Sequence, residues 1–233
     1  MQQNLSTCAR IALFAGVLAA RTADARTIQW SGRTWHVRNA ATASGPGPNF
    51  FSDSPSNVWV DAAGFLHLRV ARSGGRWRCA EVSLGAPMGH GTYAFNVETD
   101  VSSLDRQAVL GLFQYQDDAH EIDVEFARWG DARDPTNAQY VVQPYAVAGN
   151  LQRWTLPPGT TNFTSTFRWG VGDVAFQTTT STGAVLHRWT YSGASTPAPE
   201  AEAPHLNLWL YQGRAPANGR PLEVVIRSFS FAP

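Results

Sequence analysis

The chain of 233 residues has no lysine and only two cysteines, Cys8 and Cys79. Its basic side chains are all arginine, 18 of them against 18 acids. That balance leaves no positive excess to draw a nucleic acid or an anionic membrane. No apolar run approaches the ~20 residues of a membrane-spanning helix. The run Ile11 to Ala20 instead follows Arg10 and precedes Ala23-Asp24-Ala25, an A-x-A site, so residues 1–25 read as a signal peptide. Cleavage would leave residues 26–233, with 16 Arg and 17 acids (net −1) and Cys79 as the one remaining cysteine. No intrachain disulfide could form in that product. A secreted protein, extracellular or periplasmic, with a single domain over 26–233 is expected. Helical periodicity of ordinary length is also missing after residue 25, as are internal repeats. Gly, Pro, Ser and Thr break the chain at short intervals, the pattern of an all-β sandwich.

What the chain does have is aromatic residues, nine Trp among them, and few charges. Rings of this kind stack on sugar faces, and they equally fill sandwich cores. The most informative stretch is His120-Glu121-Ile122-Asp123-Val124-Glu125-Phe126. Side chains on a strand alternate between faces. Glu121, Asp123 and Glu125 would therefore share one face, and Ile122, Val124 and Phe126 the other. A helix would scatter the acids through roughly 400°. Three carboxyls in a row repel, so at least one should keep its proton near neutral pH. A paired acid and carboxylate is what glycoside hydrolysis needs. A metal-binding or merely solvated acidic strand fits the same spacing.

In chain order, Thr27 to Val37 reads as an edge strand, and Ser44 to Pro55 as a turn-rich segment without regular structure, either a connector or a cleft rim. Asn57 to Val60 and Gly64 to Val70 form a hairpin with Leu66, Leu68 and Val70 inward. Arg76 to Ser83 reads as one strand, followed by strands at Thr92 to Asp100, Gln107 to Gln116 and Gln139 to Tyr145. Phe163 to Trp169, Val174 to Thr180 and Val185 to Tyr191 make a meander, and Leu222 to Phe231 closes the sheet. His205 to Tyr211 places His205, Asn207, Trp209 and Tyr211 opposite an all-Leu face, as in a strand lining a ligand groove.

The Glu121-x-Asp123-x-Glu125 motif resembles the signature of glycoside hydrolase family 16, which includes lichenases, laminarinases and xyloglucan-modifying enzymes. Cys79-Ala80-Glu81, Phe113-x-Tyr115, Val142-Gln143, Phe167-x-Trp169 and Asn207-Leu208-Trp209 are similar to lichenase segments in the same order. The resemblance implies a two-sheet antiparallel jelly roll with an open cleft on its concave sheet, in a divergent member of the family. It implies Glu121 as nucleophile, Glu125 as general acid and base, and Asp123 as hydrogen-bond partner of the nucleophile. Glu81, Phe113, Tyr115, Gln143, Asn207 and Trp209 would line sugar subsites. The lichenase Trp before the catalytic strand is absent here, Ser83 and Tyr145 stand where lichenases carry Arg and Asn, and the cysteine that would bridge Cys79 is missing.

The expectation is a retaining endo-β-glycosidase that cuts a β-linked, glucan-like polysaccharide as a monomer, with neither a cofactor nor a catalytic metal. The resemblance leaves room for a structural calcium ion without naming its ligands. The competing readings are a non-catalytic, lectin-like jelly roll and a sandwich whose acids bind calcium.

Overall fold

The computed structural model describes residues 26–233; the expected signal peptide, with Cys8, lies outside the described residues. Two antiparallel sheets stack face to face in a jelly-roll sandwich. The first sheet runs in the order β1 (Thr27–Trp30), β2 (Arg33–Val37), β8 (Ala80–Leu84), β17 (Ala203–Leu210), β10 (Ala108–Asp117), β11 (His120–Ala127), β12 (Ala138–Val142), β13 (Leu151–Trp154). The second runs β16 (Val185–Ser192), β15 (Asp173–Thr179), β14 (Phe163–Trp169), β9 (Gly91–Val97), β18 (Leu222–Ala232), β6 (Leu66–Ser73), β5 (Val58–Val60). β7 (Arg76–Arg78) pairs with β6, and β3 (Ala40–Ser44) with β4 (Asn49–Phe51) form a separate hairpin.

Alternation decides which side chains meet between the sheets. Leu66, Leu68 and Val70 on β6, Tyr93, Phe95 and Val97 on β9, and Ile122, Val124 and Phe126 on β11 are all fully buried. Aromatic contacts bridge the layers: Trp35 meets Phe229 edge-on at 5.3 Å, Phe126 meets Phe163 at 5.3 Å, and Tyr140 stacks on Phe176 at 4.9 Å. Each buried ring contributes about 2–3 kcal/mol by leaving water.

Several boundaries differ from those expected. Thr27 to Val37 is a hairpin of β1 and β2, because Ser31 and Gly32 both take positive φ (49° and 70°), the backbone of a tight two-residue turn. The Ser44 to Pro55 segment contains a short strand, β4, held by Asn49 Nδ2, which donates to Leu210 O at 2.8 Å and to Pro46 O at 2.7 Å. Arg76 to Ser83 is two strands, since the chain passes from one sheet to the other at buried Cys79. β12 ends at Val142, before Gln143-Pro144, where proline has no N–H to continue the ladder. β13 had no counterpart in the sequence reading, and Tyr211 begins a 3₁₀ turn (Tyr211–Gly213) rather than ending β17.

Candidate active site

A trough of about 590 Å³ lies on the outer face of the first sheet. Strand β11 supplies its acids. The hairpin before it is built by Asp117, whose Oδ1 accepts from the Ala119 and His120 N–H groups and from His120 Nδ1 at 2.8 Å. This locks the register from which Glu121, Asp123 and Glu125 face outward, while Ile122, Val124 and Phe126 enter the core. His120 is thereby tied to the turn, not to the acids.

Across the sheet, one row of directly opposed residues runs Glu81, Asn207, Gly111, Glu125, Gln139, Arg153. The next row runs Ser83, His205, Phe113, Asp123, Val141. Tyr115 opposes Glu121. Gly111 leaves the trough floor open between Glu125 and Asn207; a Cβ there would sit 2.5 Å from Asn207 Oδ1. That oxygen is buried and has no hydrogen-bond partner among the described residues.

The three acids occupy different settings. Asp123 is buried, and burial pushes its carboxyl well above the usual range, reinforced by the Glu121 charge and by a hydrogen bond to Glu121. It holds the proton and donates to Glu121, while its Oδ2 accepts from Gln143 Nε2 at 2.9 Å. Burial also pushes Glu121 up to about 8; the bond from Asp123 opposes this, and the Glu125, Asp118 and Glu81 charges add to it. Glu125 is likewise pushed up to about 8 by burial and by neighbouring Asp123, against the Gln139 donor and the Arg153 charge. Gln139 Nε2 donates to Glu125 Oε2 at 2.6 Å. At the far end of the row, burial would raise the Glu81 carboxyl. Its bonds to His205 Nδ1 (3.1 Å) and from Arg38 Nη1 (2.7 Å) outweigh that and hold it below its ordinary value.

Glu81, Phe113, Tyr115, Asn207 and Trp209 all line the trough with the acid trio. Gln143 does not. Its amide turns to Asp123 and accepts from the Tyr145 N–H at 2.8 Å, because the strand has ended and the chain is turning away. The trough also draws in residues the sequence reading did not select: Arg38, the rim residues Gly45 and Pro46, Gly111, Asp118 and His205. His205 carried a signal, since it shares the face of Asn207 and Trp209. Ser44 to Pro55 likewise proves to hold part of a cleft rim, and Arg38 fixes it by donating to Gly45 O at 2.7 Å and to Ser44 Oγ at 3.1 Å. Among the described residues, no three His, Cys, Asp or Glu side chains are grouped to hold a metal ion, and no helix is long and apolar enough to cross a membrane.

Solved structures share this architecture. A β-glucanase from Bacillus licheniformis superposes with a TM-score of 0.64 at 18% identity, over 85% of this chain and 92% of that one. The fold is that of the β-glucanases. A β-1,3-glucanase from Mycobacterium marinum gives a TM-score of 0.65 at 18% identity, over 85% of this chain and 90% of that one. An immunostimulatory antigen and pseudo β-1,3-glucanase of Mycobacterium tuberculosis gives 0.63 at 21% identity, over 84% and 89%. No protein-family model and no curated protein matches the sequence. The resemblance to glycoside hydrolase family 16 therefore holds at the level of the β-glucanase fold.

Proposed function

We propose that this protein is a secreted, monomeric, retaining endo-β-glycosidase of the family 16 type, acting on a glucan-like β-linked polysaccharide. The observation that carries this reading is the acid trio on one strand face in an open trough, with its two glutamates held by different donors. In the first step the Glu121 carboxylate attacks the anomeric carbon, the glycosidic C–O bond breaks, and Glu125 gives its proton to the leaving oxygen. In the second, Glu125 takes a proton from water, the water oxygen attacks the same carbon, and Glu121 is released as a carboxylate. Desolvation suits Glu125 to keep its proton near neutral pH. Burial raises Glu121 to about 8 as well, so the attacking group is its ionised fraction, which the hydrogen bond from Asp123 favours without outweighing burial. Trp209, Phe113 and Tyr115 border the trough where a sugar ring can pack, with Asn207 beside them on its floor.

The test is a panel of glucans and galactans with reducing-sugar release, product mass spectrometry, and proton NMR of the first product's anomeric configuration. Glu121→Gln should stop release and leave binding intact. Release of the inverted anomer would overturn the double displacement. A non-catalytic sugar-binding role is the second reading. It is favoured by the likeness to the pseudo β-1,3-glucanase of Mycobacterium tuberculosis, and it requires binding without release by the unmodified chain.

A further inference from the structure

We infer that Arg153, Trp129 and Gln139 form a positioning relay that sets which oxygen of Glu125 faces the sugar bond and how tightly Glu125 holds its proton. This rests on the proposed role of Glu125 and goes beyond it. The geometry is a chain of directed hydrogen bonds. Gln139 stands directly opposite Glu125 on β12, and Arg153 directly opposite Gln139 on β13. Arg153 Nη1 donates to Gln139 Oε1 at 3.3 Å, and Trp129 Nε1 donates to the same oxygen at 3.2 Å. With two donors on its oxygen, the amide has one sensible orientation: its NH₂ faces Glu125, to which it donates at 2.6 Å. The reverse orientation would set N–H against N–H and oxygen against carboxylate.

Arg153 is itself fixed. Its Nη2 pairs with Asp134 Oδ2 at 2.6 Å, Nε donates to Thr136 Oγ1 at 2.9 Å, and both Nη atoms reach Ala127 O. Asp134 is therefore the counter-ion that keeps the guanidinium at the sheet edge. The titratable groups around Glu125 are Asp123, which holds its proton, and Glu121 on its own strand, and Arg153 beyond Gln139. Gly111 on β10 and Asn207 on β17 bring no charge, and Glu81 with Arg38 closes the row further away. A donor locked onto Oε2 leaves Oε1 as the oxygen free to carry the transferable proton. It also favours the ionised carboxyl, opposing the burial that raises it.

The test uses Gln139→Met, which keeps length and removes the donor, and Arg153→Met. On the best substrate of the panel, kcat should fall roughly 10-fold with KM within about 2-fold, since a positioning loss acts in the transition state. The alkaline limb of the kcat profile should move up by about half to one pH unit. A second readout needs no turnover: a ¹³C NMR titration of glutamate carboxyl carbons, with the Glu125 signal identified by its loss in Glu125→Gln. Its midpoint should rise in both variants. A midpoint and a kcat that both stay put in Gln139→Met overturn the relay, even if the unmodified protein cuts polysaccharide well. A midpoint that rises in a protein that cuts nothing supports the relay and refutes the glycosidase reading. Should Gln139→Met fail to fold by circular dichroism, Trp129→Phe removes one of the two donors to Oε1, and a smaller rise in the same direction is required.

Discussion

Glu125→Gln should raise the stability of the protein at neutral and alkaline pH and, on the proposed mechanism, stop sugar release. The substitution keeps shape and hydrogen bonds, because the new amide oxygen can still accept from Gln139 Nε2. It removes a carboxyl that the fold raises from 4.5 to about 8. In full, that displacement is worth roughly 5 kcal/mol at ~1.4 kcal/mol per pH unit. Glu125 is partly open to the trough, so solvent screening leaves about 2 kcal/mol. The sign follows from proton binding. Below about pH 4.5 both folded and unfolded chains hold the proton, and the parent loses nothing. As pH rises from there to about 8, the unfolded chain releases the proton while the folded one retains it, so the parent's stability falls across that window. Urea denaturation of parent and variant at pH 4.5, 6, 7 and 8.5 should give curves that coincide in acid and separate progressively above it, with the variant higher. A difference that does not change with pH, or a variant less stable at pH 8.5, would refute the desolvated acid on which the mechanism rests.

Asp123→Asn should leave stability within about 1 kcal/mol of the parent at pH 6. Its amide can donate to Glu121 and accept from Gln143 as the protonated acid does, whereas Asp123→Ala strips both partners and should cost about 2–3 kcal/mol by the same denaturation assay. Arg38→Ala should cost about 1–3 kcal/mol above pH 5, since it leaves buried Glu81 with His205 alone, and the loss should fade in acid, where Glu81 no longer carries its stabilising charge; urea curves at pH 3.5 and 7 decide this. Cys79, its thiol pushed up to about 12 by burial, should resist iodoacetamide at pH 8 in the native protein and react once urea unfolds it, as read by mass spectrometry of its peptide.

Short-range pattern carried most of what could be read in advance. The alternation at Leu66, Leu68 and Val70, and at Ile122, Val124 and Phe126, holds because strand period two is a local property and burial follows it directly. The acid trio was legible for the same reason. Breaks were less so. The Ser31-Gly32 turn lies inside an otherwise strand-like stretch and shows only in its two adjacent positive φ angles, and the sheet change at Cys79 has no local signature, because Trp77, Cys79 and Glu81 alternate as well as any uninterrupted strand. β13 was lost among Pro- and Gly-flanked residues: Leu151-Gln152-Arg153-Trp154 is too short to show a period.

The acids' supporting residues were harder to see than the acids, and the two glutamines show why. Gln143 lies next to Val142 in a segment that resembles a known motif, yet its amide serves Asp123. Gln139, four residues earlier, is the one that meets Glu125. Which of them faces the acid depends on the register between β11 and β12, fixed by Phe126 against Ala138 and Val124 against Tyr140 inside the core. A one-residue slip would exchange the faces of the whole strand. The same register brings Arg153 behind Gln139 and, through β10 and β17, carries the row on to Glu81 and Arg38. The two arginines that close this row are 115 positions apart in sequence. Neither has a local motif to announce it, because each is selected by what the sheet places beside it. Core packing between the sheets therefore determines how the acid-bearing face is wired, and a conservative change at Phe126 or Tyr140 that shifts this register should alter the titration of Glu125 without touching the trough.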